Sequence, residues 1–148
     1  MRVLVDTNVL LRSAQPAHPL CFPATHAVSR LLRRHDSVFF CAQNIAEFWN
    51  VATRPISNNG LGMSTDEVLK EVNSIENLLT LLPDIPGIYA EWKQVVARHH
   101  VQGVKVYDAR LVAVMTLYSV ESVLSFDVED FKRYSNITVI NPSSLLSP

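Results

Sequence analysis

Four acidic residues each interrupt or end an apolar run: Asp6 in Val3-Leu4-Val5-Asp6-Thr7-Asn8, Glu47 in Asn44-Ile45-Ala46-Glu47-Phe48-Trp49, Asp108 in Val106-Tyr107-Asp108-Ala109-Arg110, and Asp127 in Val123-Leu124-Ser125-Phe126-Asp127. Charged side chains are seldom buried without a partner. Four carboxylates meeting at one point therefore call for a cation, and a divalent cation held by carboxylates points to phosphate chemistry. Two like charges at 4 Å repel by about 4 kcal/mol at an effective dielectric of 20. A few such pairs rival the ~5–15 kcal/mol that holds a domain together. Without metal, at least one carboxyl should keep its proton. Mg²⁺ or Mn²⁺ would turn the repulsion into attraction, and no soft ligand competes. Each acid also has an ordinary reading: a turn residue at Asp6, an exposed helix residue at Glu47, a helix N-cap at Asp108, loop acids at Asp127 and Asp130 beside Lys132 and Arg133.

The elements around these residues alternate. Short aliphatic or β-branched runs at 3–5, Ser37–Cys41, Thr80–Leu82, 122–125 and 137–140 read as strands. Residues 23–34, 43–53, 87–100 and 107–118 read as helices. Another opens at Ser64, where Ser64-Thr65-Asp66-Glu67 has the form of a capping box, and runs to about Leu79. Pro16 and Pro19 mark a loop, 56–63 is a loop with Asn58, Asn59, Gly60 and Gly62, and 128–134 is a short turn. Strand–helix alternation predicts a three-layer α/β/α sandwich around a mainly parallel sheet, in one domain spanning 1–148. Ligands of such sheets bind beyond the carboxyl ends of the strands. Asp6 and Asp127 fall at strand ends, and Glu47 and Asp108 fall near the starts of helices. Gln43, Glu47, Asn50 and Arg54 share one helix face.

Composition narrows the partners. The 148-residue chain is 48% hydrophobic and 18% charged, which is globular, and its formal net charge of −1 carries no general nucleic-acid-coating signature. Cys21 and Cys41 form no CxxC pair, so neither a zinc site nor a disulfide framework is expected. The first apolar run meets a carboxylate after three residues, unlike a signal peptide, and no stretch approaches a membrane span. A cytoplasmic location without membrane contact is expected. His99 and His100 are adjacent and diverge on a helix, and His18, His26 and His35 are scattered. Arg30, Arg33 and Arg34 suit a helix C-terminus. Ile88, Tyr89, Trp92, Val95 and Val96 read as core first, interface second.

In order along the chain, Asp6-Thr7-Asn8-Val9-Leu10, Glu47, Asp108-Ala109-Arg110-Leu111-Val112-Ala113 and Leu124-Ser125-Phe126-Asp127-Val128-Glu129-Asp130-Phe131 resemble the acidic motifs of the PIN domain, most of all the VapC-type toxins of bacterial toxin–antitoxin pairs. The resemblance runs to the terminal Ile137-Thr138-Val139-Ile140-Asn141-Pro142. It implies an α/β/α sandwich and an endoribonuclease dependent on Mg²⁺ or Mn²⁺. The positions matching the family's metal ligands are Asp6, Glu47 and Asp108, with Asp127 preferred as fourth acid and Asp130 second, a helix cap being its other reading. Thr7, Asn8 and Ser125 match supporting polar positions. The resemblance further implies a small cognate antitoxin and a homodimer.

The reaction expected is hydrolysis of an RNA phosphodiester by activated water. Arg12, Arg54, Arg110, Lys132 and Arg133 flank the motifs and are the candidate RNA contacts. Rival readings are a DNA nuclease of the same superfamily, a non-catalytic PIN-like module that binds protein, and a dehalogenase-type phosphatase. The last wants a second Asp where Asn8 stands.

Overall fold

Five strands form one sheet in the computed structural model, which describes residues 1–147: β1 (Arg2–Val5), β2 (Ser37–Cys41), β3 (Thr80–Leu82), β4 (Ser122–Leu124) and β5 (Thr138–Ile140). Their order is β3-β2-β1-β4-β5 and every pairing is parallel. Parallel neighbours need crossovers, and seven helices supply them: α1 (Thr7–Ser13), α2 (Cys21–Arg33), α3 (Ala42–Thr53), α4 (Thr65–Leu78), α5 (Ile88–Arg98), α6 (Lys105–Leu117) and α7 (Val128–Phe131). The result is the α/β/α sandwich expected from the sequence.

The pleat sorts side chains to two cores. Val3 and Val5 of β1, Val38 and Phe40 of β2 and Leu124 of β4 pack with Val9, Leu31, Phe48 and Val68 from the first four helices. Leu4, Phe39 and Val123 point the other way, onto Val95, Leu111, Met115 and Phe131 from the last three. Helices thus cover both faces, which is why the strands are apolar without alternation.

The chain winds outward from β1 to β2 and β3 on one side, then crosses back to place β4 and β5 on the other. The reversal lies between β1 and β4. Their carboxyl ends diverge into connections on opposite faces and leave a crevice there.

Several local expectations are corrected. The segment after Asp6, unassigned from sequence, is helix α1, and Asp6 is its N-cap: Oδ1 accepts from Thr7 N at 2.8 Å and the Asp6 carbonyl accepts from Val9 N at 3.0 Å. Two turns are too short for a periodic signal, so only the cap could mark the start. Helix α6 begins at Lys105 rather than 107, so Val104 holds the cap position and Asp108 sits one turn inside, which removes the N-cap reading of Asp108. The turn expected at 128–134 contains the helix α7. Residues 56–58 of the expected loop form a 3₁₀ turn, Ile56–Asn58. Ser64 caps α4 as its motif implies, accepting from Glu67 N at 3.1 Å. Ile88 and Val95 are buried, but Tyr89 is 70% exposed and is not core. Arg30 reaches across to the Leu145 carbonyl at 2.7 Å, joining α2 to the C-terminal segment rather than capping its own helix. Gly60 returns the loop against the end of α3 so closely that a Cβ there would lie 1.9 Å from the Arg54 carbonyl oxygen.

Candidate active site

Asp6 is 7% exposed at the end of β1, beside β4. Its oxygens are held by neutral donors. Oδ1 accepts from Thr7 N at 2.8 Å, and Oδ2 accepts from Ser125 Oγ at 2.7 Å and Asn8 Nδ2 at 3.2 Å. Ser125 is fully buried and its hydroxyl is saturated, also accepting from Asn8 Nδ2 at 3.0 Å and Asp127 N at 3.0 Å. Asn8 spans the gap between β1 and β4: Nδ2 reaches Asp127 Oδ2 at 3.1 Å and Oδ1 accepts from Phe126 N at 3.2 Å. One web therefore joins Asp6, Thr7, Asn8, Ser125 and Asp127.

Glu47 enters from the second turn of α3. Oε2 accepts from Thr7 Oγ1 at 2.8 Å and Oε1 from Gln43 Nε2 at 2.6 Å. Thr7 in turn accepts from Asn44 Nδ2 at 3.2 Å, and Asn44 Oδ1 accepts from Cys41 N at 2.9 Å. Asn44 is completely buried. It ties the start of α3 to α1, which fixes Glu47 relative to Asp6. Neither Asn44 nor Gln43 was singled out as a site residue, although the Cys41–Asn44 spacing matches a cap box and Gln43 shares the face of Glu47.

Asp108 enters from the first turn of α6, and Asp130 from α7. Lys105 lies between them, ion-paired to Asp130 and 4.0 Å from Asp108 Oδ2. Asp130 is therefore an ion-pair partner across two helices and not a helix cap, because it lies inside α7 and turns toward α6. Glu47, Asp108, Asp130 and Lys105 line an open crevice of about 600 Å³ with Gln43 and Asn50. Lys105 is the cation of this crevice that sequence proximity missed, since it precedes rather than follows its motif.

The acids sense one another. Burial first, with Asp108 and Glu47 adding repulsion and the Ser125 and Thr7 hydrogen bonds opposing it, pushes the Asp6 carboxyl from 3.8 to about 7. Burial and then Asp130 push Asp108 to about 6, against the pull of Lys105. Among the described residues, no three His, Cys, Asp or Glu side chains converge closely enough to hold one metal ion. Glu47, Asp108 and Asp130 line the crevice, Asp6 and Asp127 lie outside its lining, and Asn8, Thr7, Gln43 and Lys105 take up the carboxylate oxygens one by one. Yet no Lys or Arg side chain among the described residues pairs with Asp6, Glu47 or Asp127. A cluster of hard oxygens with unbalanced charge fits a divalent cation in chemistry.

The candidate RNA contacts disperse. Arg110 bonds Gln43 Oε1 at 3.2 Å and Asp84 Oδ1 at 3.4 Å, beside the crevice. Arg12 bonds Gln15 at 2.9 Å, Arg54 reaches the Asn59 carbonyl at 3.3 Å, Lys132 pairs with Glu129, and Arg133 is exposed. None of these four lines the crevice. The histidines lie elsewhere: His99 packs edge-on against Tyr134 and His18 Nδ1 accepts from Leu20 N. No helix among the described residues is long and apolar enough to cross a membrane.

A parallel sheet in this order, with acids gathered at its switch point, is the architecture of a PIN domain. The PIN domain family model matches residues 3–137, and the chain belongs to that family. Among solved structures, VapBC2 from Rickettsia felis bound to a DNA fragment from its promoter matches with TM-score 0.74 at 10% identity, over 95% of this chain and 98% of that one. FitAcB from Neisseria gonorrhoeae matches with TM-score 0.65 at 20% identity, over 95% and 98%. VapC20 from Mycobacterium tuberculosis, a sarcin-ricin loop cleaving toxin, matches with TM-score 0.65 at 14% identity, over 86% and 92%. The fold is thus that of VapC-type PIN domains. Comparison with functionally curated proteins finds no match.

Proposed function

We propose that the protein is a Mg²⁺- or Mn²⁺-dependent endoribonuclease and the toxin of a VapBC-type pair. The observation that carries this reading is a set of neighbouring carboxylates at the carboxyl edge of the sheet, of which Asp6, Glu47 and Asp127 make no ion pair among the described residues, with Asp6 pushed up to about 7 and Asp108 to about 6. To hold the ion, Asp6, Glu47, Asp108 and Asp127 would have to turn from their present partners toward one point. When bound, such an ion acidifies water and offsets charge developing on the phosphate.

The chain's own groups supply the rest. Asn8 and Ser125 hold Asp6 and Asp127 in place, and Thr7 and Asn44 hold Glu47. A carboxylate with a raised pKa is suited to accept a proton from attacking water near neutral pH. Lys105 and Arg110 offer positive charge to RNA phosphates at the crevice rim. Membership of the PIN family and the fold shared with a sarcin-ricin loop cleaving toxin support RNA as substrate. The fold shared with VapBC and FitAB complexes supports a small antitoxin as partner. A homodimer is carried by the family resemblance.

The test is cleavage of RNA and of DNA of the same sequence in Mn²⁺, with and without EDTA, by wild type and Asp6→Asn. The reading expects RNA cleavage that EDTA and Asp6→Asn abolish. Equal cleavage by both proteins, or cleavage insensitive to EDTA, overturns it. Cleavage of DNA alone would establish the DNA-nuclease reading in its place.

A further inference from the structure

A second groove adjoins the acidic crevice. It has a volume of about 360 Å³ and lies between α5, the start of α6 and the segment after β3. Its walls include Ile88, Tyr89 and Trp92 on α5, Tyr107 and Arg110 on α6, and Asp84. Two of these aromatics face solvent, Tyr89 at 70% and Tyr107 at 60% exposure. Large aromatics left this open in a well-packed domain mark a binding surface more often than an accident of packing.

The groove is built rather than loose. Trp92 Nε1 donates to the Val106 carbonyl at 2.8 Å, fixing the indole against α6, and the Tyr89 and Trp92 rings stand 6.3 Å apart at 37°. Gln43 Nε2 donates both to the Tyr107 carbonyl at 2.8 Å and to Glu47 at 2.6 Å. Tyr107 lines both the groove and the acidic crevice, and it immediately precedes Asp108. Arg110 and Asp84 form a polar pair in the groove's wall, 3.4 Å apart.

We propose that this groove is a base-binding subsite: an unpaired nucleobase next to the scissile phosphate stacks on Tyr107 and Tyr89, and Arg110 and Asp84 meet its edge. The proposal rests on the ribonuclease reading and names the form of its substrate, an RNA strand whose bases are unstacked at the cut. Continuity with the crevice selects this occupant. Tyr107 lines both groove and crevice, so a strand with its scissile phosphate in the crevice would pass Tyr107 on its way to the groove. Aromatic faces accept any base, while a guanidinium and a carboxylate offer a donor and an acceptor to hydrogen-bonding edges. A-form duplex keeps its bases stacked away from such a surface.

The experiment measures kcat and KM in Mn²⁺ for a mixed-sequence single-stranded RNA 20-mer and for the same strand annealed to its complement, with size-exclusion chromatography of each variant. The proposal expects the single strand to be cut in preference to the duplex. It expects Tyr107→Ala to raise KM roughly tenfold or more with kcat within about twofold, Tyr89→Ala to do the same more weakly, and Tyr107→Phe to restore wild-type KM. Wild-type KM in Tyr107→Ala while wild type cleaves RNA normally would overturn the subsite and leave the ribonuclease reading intact. Loss of a dimer in Tyr89→Ala and Tyr107→Ala without change in KM would overturn it in favour of an interface between copies. An absence of any RNA cleavage by wild type would remove the parent reading and the subsite with it.

Discussion

The two sides of the acidic site hold their carboxylates by opposite means. On the β1–β4 side, Asp6 is almost wholly buried and every contact comes from a neutral donor: Thr7 N, Ser125 Oγ and Asn8 Nδ2. On the α6–α7 side, Asp108 and Asp130 are partly solvated and share a lysine. Burial raises both acids most, Asp6 more because it is the more deeply buried and has no counter-charge, and Asp108 less, with Lys105 opposing the rise, to about 7 and about 6. The first half is a rigid frame that leaves charge uncompensated. The second already carries its own cation. On the proposed reading an added divalent ion would gain most at the frame and would compete with Lys105 on the other side.

The largest consequence should fall on catalysis. Asp6→Asn should lower kcat for RNA cleavage by at least about a hundredfold, while Lys105→Met should change it by less than about tenfold. Comparable losses in single-turnover assays would erase the contrast between the halves. The supporting web comes next: Ser125→Ala or Asn44→Ala should cost roughly 10–100-fold in activity or Mn²⁺ affinity, because each releases a carboxylate from its fixed position.

Stability offers a sharper comparison. The folded protein binds a proton on Asp6 more tightly than the unfolded chain does, so between 3.8 and about 7 it carries more protons. Its stability contribution is therefore lost as pH rises through that window, by on the order of 4 kcal/mol in full. Asp6→Asn has no such titration. Its Tm relative to wild type, without added metal, should climb between pH 4 and pH 7.5 by roughly 5 °C or more. A flat difference in calorimetry would refute the buried, uncompensated state of Asp6. Added Mn²⁺ should flatten it for a different reason, by supplying the missing charge.

The smallest effect concerns competition. Lys105→Met should tighten Mn²⁺ binding a few-fold in titration calorimetry, since one neighbouring positive charge at partial exposure is worth about 1 kcal/mol. Weakened binding would assign Lys105 a supporting role instead.

Much of this arrangement is legible in the chain. The strands Ser37–Cys41 and Thr80–Leu82 appear where apolar, β-branched or aromatic runs stand between turn signals, and Ser64 announces α4. Asp6, Glu47, Asp108 and Asp127 stand out because charge interrupts hydrophobic sequence. Helix α1 does not stand out, because two turns carry no period and its cap residue was already explained as a site acid. The placement of the cations is not legible for a related reason. Arg12, Arg54, Lys132 and Arg133 are near the motifs in sequence, but a helix turns by about 100° per residue, so nearness along the chain does not fix direction. Lys105 reaches the crevice from one turn before Asp108, and Asn44 does its work from within the core, where a lone Asn gives no pattern.

What the sequence alone determined was the layering and the inventory of acids, since both follow from hydrophobic period and the cost of burying charge, which are local properties of the chain. What only the tertiary structure decided was how each carboxylate is held and which cation stands among them. Those depend on the crossing from β3 back to β4, which brings Asn8 against Ser125 and Asp127, 117 and 119 residues further along the chain. No local pattern encodes a partner at that separation; the sheet's packing selects it.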